Sequence, residues 1–74
     1  MKYELIKYDY SIETSSDENG NYSVTITLAL HPTDGIAPDF SKDIVVISNN
    51  SMTGFEVDAQ RQSEIAAYVS KINN

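Results

Sequence analysis

The sequence predicts an α+β fold: an antiparallel β-sheet of three to four strands with one C-terminal helix packed on one face. Three observations carry that expectation. Residues 6–13 and 22–31 alternate apolar and polar side chains, the period-two pattern of half-buried strands. Asp43-Ile44-Val45-Val46-Ile47-Ser48 is a third β-branched run, apolar on both faces. Near the C-terminus, Ile65, Tyr68 or Val69, and Ile72 recur at helical spacing and make one apolar stripe.

In the first two strands the even positions are apolar: Ile6, Tyr8, Tyr10 and Ile12, then Tyr22, Val24, Ile26, Leu28 and Leu30. The turn between them fixes the expected register. A two-residue turn at Asn19-Gly20 would set Ile12 opposite Thr27, an apolar row against a polar one. A three-residue loop of Glu18-Asn19-Gly20, with Gly20 left-handed, sets Ile12 opposite Ile26, Tyr10 opposite Leu28 and Tyr8 opposite Leu30. Directly opposed residues share a face, so the hydrophobic pattern favours the longer loop.

Residues 31–43 hold both prolines and read as a long loop, tacked to the core by Ile36 and Phe40. The run at 43–48 suits a strand inside a sheet or one covered on both sides. Phe55-Glu56-Val57 is expected to add a short fourth strand. Asp58 is the expected N-cap of a helix reaching about Ile72, with Lys71 in its last turn. Residues 1–74 are read as a single domain, without internal repeat or linker.

Composition narrows the function classes. The chain has 74 residues, 11 acidic and 5 basic, no cysteine and one histidine, for a net charge of −6. Disulfides and a thiolate zinc site are excluded, and the small core lacks the usual staples. An acidic chain is repelled by nucleic-acid phosphates and anionic lipids, so neither direct nucleic-acid nor membrane binding is expected. No apolar stretch follows Lys2, and the longest apolar run, Ile44–Ile47, is far too short to span a bilayer. A cytoplasmic location is expected.

Candidate chemistry is sparse. His31 precedes a proline and lies close in sequence to Asp34, but no nucleophile stands in a recognisable elbow. Asp17-Glu18-Asn19-Gly20-Asn21 presents oxygens at alternate positions like a calcium loop. Its glycine is fourth rather than sixth, however, and Leu28 stands where the bidentate glutamate belongs. Asp34, Asp39 and Asp43 surround one loop and read as solvated carboxylates rather than as a cation site. No cofactor, metal or enzymatic activity is expected. Tyr8, Tyr10 and Tyr22 on the even face, with Tyr3 nearby and Tyr68 on the helix, read as the wet margin of a core, although tyrosine also suits interfaces.

In size, acidity, lack of cysteine and lack of a catalytic constellation, the chain resembles the class of small inhibitors encoded by bacteriophages, anti-CRISPR proteins among them. The resemblance rests on size, charge and composition. It implies a protein that blocks a basic nucleic-acid-binding surface on a protein partner. The expected contact residues are Asp9, Glu13, Asp17, Glu18, Asp34, Asp39 and Asp43. The alternative is a structural or accessory subunit that self-associates, as a homodimer, through the apolar face of Ile44–Ile47.

Overall fold

The computed structural model describes residues 2–12, 16–34 and 37–74. Strands β1 (Tyr3–Ile12), β2 (Asn21–Pro32) and β3 (Phe40–Asn49) precede helix α1 (Gly54–Ile72). The strands form one antiparallel sheet in the order β1-β2-β3, so β2 is central. This is the α+β architecture expected, with three strands. The molecule measures 47 × 18 × 16 Å. Its length follows β2, whose 12 residues span ~40 Å at the usual rise per residue.

Alternation on β2 builds the core. Val24, Ile26, Leu28 and Leu30 are fully buried and meet Val46 of β3 and Ile65 of α1. Tyr3, Leu5, Tyr8, Tyr22, Ile44, Tyr68, Val69 and Ile72 pack around them, half-buried. Each fully buried aliphatic side chain contributes about 1.5–3 kcal/mol, so the central strand carries most of the apolar stabilisation.

The hairpin departs from the expected register in an informative way. Asp17 N–H donates to the Asn21 carbonyl and Gly20 N–H to the Asp17 carbonyl, and Gly20 has φ +83°. The loop Glu18-Asn19-Gly20 with a left-handed glycine is therefore present. Yet Ile12 lies opposite Val24, Tyr10 opposite Ile26 and Tyr8 opposite Leu28. Between the turn and the first strand pair, one side carries residues 13–16 and the other only Tyr22 and Ser23. Two extra residues shift the register without changing which face each side chain takes.

A second irregularity does change the face. The pairing of β1 slips by one between Leu5, opposite Leu30, and Lys7, opposite Ala29. Ile6 is the bulged residue and is exposed, while Leu5 and Tyr3 take the inner positions.

Three further expectations are corrected. The 43–48 run does not lie inside the sheet: it belongs to the edge strand β3, which begins at Phe40, and Val45 and Ile47 are 64% and 55% exposed on the side away from the helix. Phe55-Glu56-Val57 is not a strand but the first turn of α1. Thr53, not Asp58, is the N-cap: Thr53 Oγ1 accepts from Glu56 N–H at 3.1 Å, and Glu56 Oε1 accepts from Thr53 N–H at 3.0 Å. This reciprocal box satisfies two otherwise unpaired donors at the helix start, and Glu56 also suits the helix dipole. Of the residues expected to pin the long loop, Phe40 meets Tyr3 edge-on at 5.0 Å between ring centroids. Ile36 lies outside the described residues.

Amide side chains lock the helix to both sheet edges. Gln60 accepts from Ser48 Oγ at 2.6 Å and donates to the Ile47 carbonyl at 2.7 Å. At the other end, Asn73 Oδ1 accepts from Tyr3 N–H at 2.8 Å, and Asn73 Nδ2 donates to the Tyr3 carbonyl at 2.9 Å. Arg61, in the apolar stripe, lies with its guanidinium 4.0 Å from the Tyr10 ring centroid. Its buried Nε has no hydrogen-bond partner among the described residues.

Candidate interaction face

Because the helix covers the face that holds Val24 to Leu30, the odd residues of β2 point to the uncovered side. Three cross-strand rows follow from the pairing. Asp9, Thr27 and Asp43 form one, Lys7, Ala29 and Ser41 the next, and Glu4 lies opposite His31 in the third. Adjacent strands are ~4.8 Å apart and successive rows ~7 Å. Asp9 and Asp43 thus stand roughly 10 Å apart across β2.

Each carboxylate here has a different local role. Asp43 accepts from Thr27 Oγ1 at 2.8 Å, which orients it on the face. Asp39, just before β3, meets His31 Nδ1 at 2.5 Å. Hydrogen bonding to Asp39 raises the His31 pKa above its ordinary value; desolvation opposes this in part, and the charges of Asp39 and Glu4 add to it. His31 is therefore paired with Asp39, not with Asp34, the carboxylate nearest in sequence. Asp34 accepts from the Lys2 N–H at 2.7 Å.

Of the carboxylates expected to meet a partner, the structure brings Asp9, Asp39 and Asp43 together. Asp17 and Glu18 lie at the far end of the hairpin. The Asp17 carboxylate is occupied by the turn, accepting from the backbone N–H of Asn19 and of Asn21, each at 2.9 Å. Its pKa is lowered, chiefly by the Asn21 N–H. Glu13 lies outside the described residues.

Glu4 was not among the expected contacts. Counted by parity from Ile12, it falls on the helix side of β1; the bulge at Ile6 turns it outward, opposite His31. The only advance signal was Leu5-Ile6, two apolar residues in a row where alternation should hold.

Toward the turn the same face changes character. Ser11, Thr25 and Val45 form one row, and Ser23 stands beside Ile47. The uncovered face is thus acidic at one end and hydroxyl-rich and apolar at the other. Among the described residues, no three His, Asp or Glu side chains lie close enough to hold a metal ion. Nor is any described helix long and apolar enough to cross a membrane. Comparison with protein-family models, curated proteins and solved structures finds no match.

Proposed function

We propose that the chain is a small, cytoplasmic protein-binding inhibitor that presents the acidic end of its open sheet face to a basic surface on a protein partner. One observation carries the reading: Glu4, Asp9, Asp39 and Asp43 gather on a sheet face that no other described part of the chain covers, with Lys7 and the Asp39-paired His31 among them. A rigid sheet holds these charges at fixed spacing, which suits a row of lysines and arginines rather than a single cation. A surface of that kind can occupy a site where the partner holds nucleic acid, as an anti-CRISPR protein does in the class that the chain resembles. Contacts of this type speed association and weaken with salt, the Debye length being about 8 Å at physiological ionic strength.

The test is capture of partners from a native lysate with the wild-type chain and with Asp9→Lys/Asp43→Lys, followed by binding measurements at two salt concentrations. Exposed substitutions shift stability by only about 0.5 kcal/mol, so the variant keeps its fold. Glu18→Lys, at the far turn, serves as the control. Loss of a salt-sensitive partner in the double variant alone is expected. Equal binding by all three chains would refute the proposal.

A further inference from the structure

The two free sheet edges are built differently. The β1 edge is interrupted by the bulge at Ile6, and the outward backbone groups of Tyr3 are closed by Asn73. Arg61 sits on the Tyr10 ring further along it. Bulges, charges and covering groups are the devices that keep an edge from pairing with another chain. The β3 edge is 10 residues long and pairs with β2 without a register shift.

Backbone direction on β3 follows from one bond. Asn50 N–H donates to the Gly20 carbonyl, so by antiparallel alternation the even residues of β3 bond to β2 and the odd ones face outward. The helix end of that edge is already closed: the Ile47 carbonyl accepts from Gln60, and Asn49 N–H donates to Met52 Sδ at 3.3 Å. The backbone groups of Ser41, Asp43 and Val45 face outward without a partner among the described residues.

We propose that a second copy of this chain pairs with the open part of the edge, β3 against β3 and antiparallel, about a two-fold axis at Ile44. The choice of occupant rests on self-complementarity. Centring the axis on Lys42 or Asp43 would set like charges directly opposite each other. Centring it on Val45 or Val46 would bring the Ile47 carbonyl, which Gln60 already fills, within two residues of the axis, whereas at Ile44 it falls in the outer pair with Ser41, where the pairing ends. At Ile44 the central pairs are Asp43 with Val45 of the second copy and the reverse, each exchanging two bonds through open groups. Ile44 then meets Ile44 of the second copy at the close, non-hydrogen-bonded spacing. The product is a continuous sheet with both helices on one side and both acidic patches on the other.

The decisive variant is Val45→Pro. The Val45 N–H points outward, so proline removes a bond of the proposed pair while sparing the β2–β3 ladder, and edge strands accept proline. At micromolar concentration the wild type is expected to sediment as a dimer, and Val45→Pro as a monomer with unchanged circular dichroism. Hydrogen exchange on the wild type gives an independent reading. Exchange of the Asp43 and Val45 amides tracks the monomer fraction, so once dimer dominates, roughly a hundredfold rise in concentration slows it about tenfold. A wild type that stays monomeric, a Val45→Pro variant that still dimerises, or amides whose exchange ignores concentration overturns the proposal. So does edge protection that appears only with a different protein bound.

Discussion

Replacing Ile26 by valine probes the register and the core together. Ile26 is fully buried in the central strand, between Tyr10 and Ile44, whereas Ile12 near the hairpin end is 45% exposed. Removing one methylene forfeits about 0.8 kcal/mol of transfer free energy, and an Ile→Val change in a tight core costs about 0.5–1.5 kcal/mol. At Ile26, with no exposure to begin with, the cost should fall near the middle of that range, about 1 kcal/mol. At Ile12, where about half the side chain already meets water, it should be less than about half as large. A domain of this size has about 4–11 kcal/mol in total, so both variants fold and can be compared. Urea titration followed by circular dichroism is the assay, with the slope expected to stay constant. Thermal unfolding should drop by about 4–8 °C for Ile26→Val. A double-mutant cycle completes the test: Tyr10 and Ile26 should couple by a few tenths to ~1 kcal/mol, and Ile12 and Ile26, diagonal rather than opposite, clearly less. Equal costs at both isoleucines, with coupling between them, would restore the register that pairs them and refute the reasoning.

Two further outcomes are expected. Thr53→Ala should cost about 1 kcal/mol by opening the capping box, whereas Asp58→Ala, inside the helix and exposed, should cost much less. Because the Thr53 N–H and then its side chain lower the Glu56 pKa, the box contributes above the unfolded glutamate value and fades as pH falls through the lower folded one; a pH-independent Thr53→Ala difference would contradict this. His31 has the opposite sign: its raised pKa means that the link to Asp39 stabilises fully below the unfolded value near ~6.5 and is lost as pH rises through the folded value. Proton NMR should show His31 titrating above the ordinary histidine value in the wild type and returning toward it in Asp39→Asn; identical midpoints would remove the ion pair.

How far the sequence reveals this molecule can be judged residue by residue. Alternation at 6–13 and 22–31 identifies the hairpin, its buried face and the left-handed Gly20, because period two and turn chemistry are local properties. The register is not local. It depends on two extra residues between Ile12 and Asp17, which leave every side chain on its expected face and so leave no trace in the pattern. The bulge at Ile6 does leave a trace, and overlooking it hid Glu4. At Phe55-Glu56-Val57, alternation over three residues competes with the Thr53-to-Glu56 capping box, and the hydrogen bonds of the box prevail. The run from Ile44 to Ile47 reads as buried on both faces, yet apolarity alone does not distinguish a covered strand from an edge left open. The acidic face depends on the same long-range facts, since Asp9 and Asp43 become neighbours only once both strands flank Thr27.

The clasp between Asn73 and Tyr3 also sets how the fold responds to force. It draws the start of β1 and the end of α1 to one corner, where the Lys2 ammonium also reaches the Asn73 carbonyl. A load applied between these two segments meets the paired amide bonds first. Once they part, tension enters the β1–β2 ladder at its end pair, Tyr3 with Pro32, and opens it rung by rung rather than shearing all rungs together. The helix loses its C-terminal tie to β1 at the same moment but keeps Arg61 on the Tyr10 ring and its Gln60 bonds to Ser48 and Ile47 nearer its start. Pulled from that corner, the molecule should yield by peeling at low force, with β2, β3 and the first half of α1 the last to separate.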